Sequence, residues 1–85
     1  FEDYTIEELI QIGVMELEKQ KYKFNIDKYK EYVMHNYERS NDNSNGRWIR
    51  NQNEKLTRKL ALRLLEDSNA DLHIITDEDI ESAKL

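Results

Sequence analysis

The chain predicts a small all-α domain, a four-helix bundle, and three observations carry the prediction. Apolar side chains recur at helical spacing in long blocks. A residue able to cap a helix start (Thr5, Asp27, Ser44 or Asn45, Thr76) stands ahead of each block. Only two stretches, both brief, read as extended. At 85 residues and 38% hydrophobic content the chain can bury one modest core, so residues 1–85 are read as a single domain.

Each element has its own warrant. Thr5 with Glu8 three positions on is a capping box, in which the hydroxyl and the carboxylate each satisfy a backbone N–H of the other residue. The first helix therefore starts at Ile6. Phe1 or Tyr4 can fold back on it as a staple, and Ile6, Leu9, Ile10, Gly13 and Leu17 share one side. The pattern fades between Lys19 and Tyr22. Phe24 and Ile26 then alternate with Lys23 and Asn25, and Asp27 is the expected N-cap of a second helix bearing Tyr29, Tyr32, Val33 and Tyr37. The polar run Ser40-Asn41-Asp42-Asn43-Ser44-Asn45 is a loop, and Asn45-Gly46 is a strong breaker.

The third and longest helix runs from about Gly46 to about Glu66, with Ile49, Leu56, Leu60 and Leu64 in one narrow stripe. Asp67-Ser68-Asn69 stops it, and Leu72-His73-Ile74-Ile75 is again extended. Thr76, answered by Asp79, caps a last helix that turns Ile80 and Ala83 inward. The runs 23–26 and 72–75 each lead into a capped helix, which lets them pair as a short two-stranded β bridge.

Composition removes several functions. Acids outnumber bases 18 to 13, and a net charge of −5 argues against a nucleic-acid surface, although a positive patch between Arg47 and Arg63 is allowed. Without cysteine there is neither a disulfide framework nor a thiolate metal site. His35 and His73 lack metal-ligand spacing, so no metal site is expected. No apolar run reaches membrane-spanning length and the acidic N-terminus is unlike a signal peptide, so a cytoplasmic location is expected. Glycine occurs only at Gly13 and Gly46, which excludes a glycine-rich phosphate loop. The clusters Glu7-Glu8 and Asp77-Glu78-Asp79 fall in first helical turns, where the helix dipole favours them without any chemistry. The tyrosines read as amphipathic core fillers. Trp48 lies about 100° off the Ile49 stripe, so it packs on a different helix or belongs to an interface, the second being preferred.

Two arginines make the start of the third helix informative, because Arg47 and Arg50 sit at the end whose dipole repels cations. On spacing alone, Arg50, Glu54 and Arg58 form a solvated ladder worth about a few tenths of a kcal/mol per pair. The functional alternative is an anion site, with Arg47 offering a forked donor to a phosphate oxygen beside the free helix N–H groups.

Three segments share an order that belongs together. Phe1-Glu2-Asp3-Tyr4-Thr5-Ile6-Glu7-Glu8-Leu9 opens the chain. Asn45-Gly46-Arg47-Trp48-Ile49-Arg50-Asn51, followed by Glu54-Lys55, starts the third helix, and Asp71-Leu72 with Ile75-Thr76-Asp77-Glu78-Asp79-Ile80 comes last. In that order they resemble Phe-x-x-Tyr-Thr-x-Glu-Glu-Leu, Gly-Asn-(Ala/Gly)-Arg-x-x-Arg-Asn-x-x-Glu-Lys and the closing segment of the helical lid in AAA+ ATPases of the CbxX/CfqX group. That group includes stage V sporulation protein K-like ATPases, red-type rubisco activases and ATPases of type VII secretion. The abundance of Asn, Lys, Ile and Tyr, residues of AT-rich codons, makes the sporulation branch the first choice. One departure is Ser44, which stands where the group has its first glycine.

The resemblance implies that Arg47 is the second-sensor arginine, reaching from the lid to the γ-phosphate of ATP, with Gly46 and Arg50 grouped beside it at the nucleotide. It also implies that ATP and its Mg²⁺ are held by a large domain absent from this chain. Further implied partners are neighbouring subunits of a ring, often hexameric, and a remodelled protein substrate. Closure of such a lid would couple hydrolysis to domain motion. The chain lacks a P-loop, a metal-binding acid and a catalytic base, so hydrolysis is not expected from it alone. Its start at the first motif residue, Phe1, suggests a domain excised from a larger ATPase. The competing reading is a free-standing helical protein-interaction module using Trp48 and the basic helix face. A helix-turn-helix DNA reader is weaker because of the net acidity.

Overall fold

Capped amphipathic segments account for the architecture seen in the computed structural model, which describes residues 4–40, 46–69 and 71–84. Four helices follow in order: α1 (Ile6–Lys19), α2 (Ile26–Arg39), α3 (Gly46–Glu66) and α4 (Asp77–Ser82). Among the described residues the β structure is a single parallel bridge between Lys23 and Ile74. The all-α prediction and the pairing of the two extended runs both hold. None of these helices is long and apolar enough to cross a membrane.

Both expected capping boxes are formed. The Thr5 hydroxyl accepts the Glu8 N–H at 3.2 Å while Glu8 Oε1 accepts the Thr5 N–H at 2.9 Å. Thr76 and Asp79 repeat the exchange at 3.2 and 3.1 Å. The start of α2 differs from the prediction, because Asn25 and not Asp27 is its cap. Asn25 Oδ1 accepts the N–H groups of Asp27 at 3.0 Å and Lys28 at 3.4 Å. Asp27 then lies in the first turn, where its charge still complements the dipole, and Ile26 is helical and not extended. Phe1, Ser44 and Asn45 lie outside the described residues. Tyr4, half-buried, packs against the core, consistent with the staple.

The end of α1 carries a feature that spacing did not reveal. Lys21 has φ 68°, a left-handed conformation usually reserved for glycine. The Tyr22 N–H bonds to the Leu17 carbonyl at 3.0 Å and the Lys21 N–H to the Glu18 carbonyl at 2.9 Å, the two bonds of a Schellman ending. Tyr22 and Leu17 both pack into the core, the apolar contact that accompanies this motif.

Helix α1 lies against α2 and α3, and α4 closes the other side against the same two helices. Between them sit Leu9, Leu17, Tyr29, Tyr32, Val33, Ile49, Leu56, Leu60, Ile75 and Ile80, all essentially inaccessible to solvent. Leu64, the last residue of the predicted stripe, is only half-buried. The close approach of helices is set at Gly13, where a Cβ would collide with the Tyr29 hydroxyl and stand 2.9 Å from Ile49 Cγ1.

The two extended runs and α4 are tied down by polar contacts. The Lys23 N–H donates to the His73 carbonyl at 2.7 Å, and the Ile75 N–H donates to the Lys23 carbonyl at 2.9 Å. Arg63 of α3 donates from Nε to both Asp79 carboxylate oxygens at 3.2 Å, and from Nη2 to the Ile74 carbonyl at 2.9 Å. Asp79 is only 5% exposed. A buried carboxylate is tolerated when its lone pairs are filled, and here the guanidinium and the Thr76 N–H fill them.

Candidate functional site

The start of α3 is held in place by the residues that follow it. Trp48 is 7% exposed and meets Tyr37 of α2 edge-on, with ring centroids 5.9 Å apart and planes at 86°. Ile49 is fully buried. Trp48 thus packs on a different helix, and the preferred assignment of its ring to an interface is corrected.

One turn further, Gln52 and Asn53 are buried amides, and each carries a hydrogen-bond network. Tyr29 donates its hydroxyl proton to Asn53 Oδ1 at 2.6 Å, and Asn53 Nδ2 donates to the Gly13 carbonyl at 3.2 Å and to Glu16 Oε1 at 3.1 Å. The Tyr32 hydroxyl lies within reach of the Gln52 carbonyl and Oε1, at 3.1 and 3.2 Å, and Asn36 Nδ2 donates to the same Oε1 at 2.9 Å. Among the described residues no buried side-chain polar atom is left without a partner. Burial pushes the Tyr29 phenol far above its ordinary range, with the neighbouring Tyr32 and the Glu16 carboxylate adding to the effect and the Asn53 hydrogen bond opposing it. Burial likewise raises Tyr32, against the hydrogen bond from Asn36. Both phenols therefore remain neutral donors.

On this frame the three predicted site residues sit within the first two turns of α3. Gly46 is its first residue, and a Cβ there would meet nothing within 4 Å. The Arg47 side chain is exposed and makes no ion pair or hydrogen bond with another described residue. Arg50 does not join a ladder with Glu54 and Arg58; its Nε lies 3.9 Å from Glu16 Oε2 of α1, with 69% of the side chain exposed. A pair this open contributes under about 1 kcal/mol. Tertiary placement wins over the four-residue spacing because Glu16 is already held by Asn53.

Sequence reading missed Glu16, Gln52 and Asn53. A signal for the two amides was present: the seven-residue step from Ile49 to Leu56 skips the positions that must share the buried face. Among the described residues, no three His, Cys, Asp or Glu side chains cluster in a way that could hold a metal ion. What the α3 start can do chemically is present an exposed guanidinium beside a helix N-terminus, an arrangement suited to an anion.

Comparison with known proteins places the chain in a family. The chain is 36% identical over 93 aligned residues to Protein CfxQ homolog of Galdieria sulphuraria, a match that takes in 100% of this chain and 30% of the relative. The chain thus spans less than a third of the length of the curated relative it matches. Residues 5–85 match the model of the AAA lid domain, and the chain, with its four helices, belongs to the AAA lid domain family.

Proposed function

We propose that this domain is the C-terminal lid of an AAA+ ATPase and closes over ATP held, with Mg²⁺, by a large domain. Arg47 reaches the γ-phosphate as the second-sensor residue, with Gly46 leaving the backbone open to approach. Arg50 stays beside it, steadied by Glu16. The observation that carries this reading is the contrast at one helix end: Trp48 and Ile49 are buried while Arg47, one position earlier, is exposed and uncommitted among the described residues. A guanidinium fork with no internal partner is available to a phosphate oxygen, at the cost of ordering its side chain.

Chemistry at the phosphorus would be supplied by the nucleotide, its metal and the large domain. The contribution of this chain is charge placed at a stated position, which is present only when the lid is closed. Loss of the phosphate contact would let the lid swing away, turning nucleotide state into domain angle. Passed around a ring, hexameric in our reading, that motion would remodel a protein substrate in the cytoplasm, with the sporulation branch as the assigned setting. In the intact ATPase, Arg47→Ala is expected to lower turnover at least tenfold, while circular dichroism and melting of the 85-residue chain stay unchanged. Arg47→Lys is expected to restore only part of the rate, since it keeps charge but loses the fork. Wild-type turnover in Arg47→Ala would end the assignment.

A further inference from the structure

Of the chain's 13 Lys and Arg residues, four have carboxylate partners among the described residues and nine form no ion pair there. Lys28, Arg50, Arg63 and Lys84 all have carboxylate partners, from Glu31 and Glu81, Glu16, Asp79 and Glu81 respectively. Among those nine, Lys55, Arg58 and Lys59 stand close together on α3. They are packed within one turn and a half of α3, an arrangement in which like charges repel along the helix face. Together with Leu62 they line a shallow groove whose other wall is Ser82, the last residue of α4, and its C-cap Ala83, and no carboxylate is among those lining residues.

The apolar character of this face extends down the helix. At about 100° per residue, Lys55, Arg58, Lys59, Leu62 and Leu65 fall within roughly a third of the helix circumference, on a side away from the Leu56–Leu60 core stripe. Leu62 is 52% exposed and Leu65 is 84% exposed. The surface is therefore graded: cations toward the middle of α3, leucines toward its end.

We propose that this α3–α4 groove docks an acidic amphipathic protein helix, one that presents carboxylates to Lys55, Arg58 and Lys59 and apolar side chains to Leu62 and Leu65. Charge complementarity selects the acidic end, and the two leucines select a protein over a nucleic acid, whose uniform backbone charge would leave them facing water. The net charge of −5 on the chain as a whole reinforces that choice. The site is distinct from the Arg47 end of the same helix, so it stands whether or not Arg47 meets phosphate.

The probe is a fluorescein-labelled synthetic helix carrying glutamates on one face for two turns and leucines on the same face for the next two, followed by fluorescence anisotropy on the 85-residue chain. Saturable binding that weakens at least tenfold in a Lys55→Glu, Arg58→Glu, Lys59→Glu variant, and that falls as salt is raised, is expected. Leu65→Ser is expected to weaken it severalfold, and Arg47→Ala to leave it within twofold. Where the triple variant fails to fold by circular dichroism, Arg58→Glu alone, on an exposed side chain, gives the same reading. Equal binding of a helix with lysines replacing the glutamates, indifference to charge reversal, no binding of the acidic helix, or tighter binding of a single-stranded oligonucleotide would each overturn the proposal.

Discussion

The two glycines of this chain sit in opposite circumstances. At Gly13 a single methyl group would strike the Tyr29 hydroxyl, whereas at Gly46 it would meet nothing within 4 Å. Neither has a positive φ, so backbone conformation demands glycine at neither place. Gly13 is thus explained by the fold: α1 comes close enough for its carbonyl to accept from Asn53, which in turn accepts from Tyr29. Gly46 is not explained by any contact among the described residues, and the same holds for its exposed neighbour Arg47. A residue whose identity the domain does not require is a candidate for contact with something outside it.

The comparison can be broken most sharply at Gly13. Gly13→Ala should destabilise by about 2–4 kcal/mol, through overpacking against Tyr29 and loss of its bond to Asn53, a large part of the stability of so small a domain. Thermal melting followed by circular dichroism checks it, and an unchanged midpoint would mean that the close approach is not as drawn. Next in size, Asn53→Ala should cost about 2–3 kcal/mol by stranding the buried Tyr29 hydroxyl and removing the tie from α3 to α1, again read from melting.

Alkaline pH probes the same end without mutation. Tyr29 and Tyr32 keep their protons in the folded state above the ordinary phenol value of about 10, while the unfolded chain releases them. The native state then binds more protons than the unfolded one, so the stability they contribute is complete below pH about 10. It falls above that by roughly 1.4 kcal/mol per pH unit per tyrosine. Denaturant titrations from pH 9 upward should show this slope, and Tyr32→Phe should reduce it. The smallest effect belongs to Gly46→Ala, expected to shift folding stability by less than about 0.5 kcal/mol. The comparison sharpens if that substitution, silent in melting, nonetheless lowers turnover in the full-length ATPase we propose.

Much of this was legible before any coordinates. Capping boxes are local, so Thr5 with Glu8 and Thr76 with Asp79 could be read from three-residue spacing alone, and the limits of α3 followed from a breaker and a stripe. What escaped was decided between helices. Asn25, two positions earlier, took the cap in place of Asp27. Arg50 turned to Glu16 of another helix because surface charges follow tertiary proximity once it is on offer. Gln52 and Asn53 read as polar interruptions of a stripe, but two buried phenols give them partners, and the paired donors and acceptors lie 20 and 24 positions apart in the chain. Lys21 showed no sign in the sequence of its left-handed backbone, since lysine has no preference for it.

The Lys23–Ile74 bridge has a consequence for how the molecule is made. The segment that completes the sheet-like contact, supplies Asp79 to Arg63 and sets Ile80 and Ala83 over α2 and α3 is the last of the described chain to be synthesised. A ribosome releasing the polypeptide from its N-terminus would leave α1, α2 and α3 with one apolar side uncovered until about residue 83 has cleared the exit tunnel. Only then can the final contacts close over the three earlier helices.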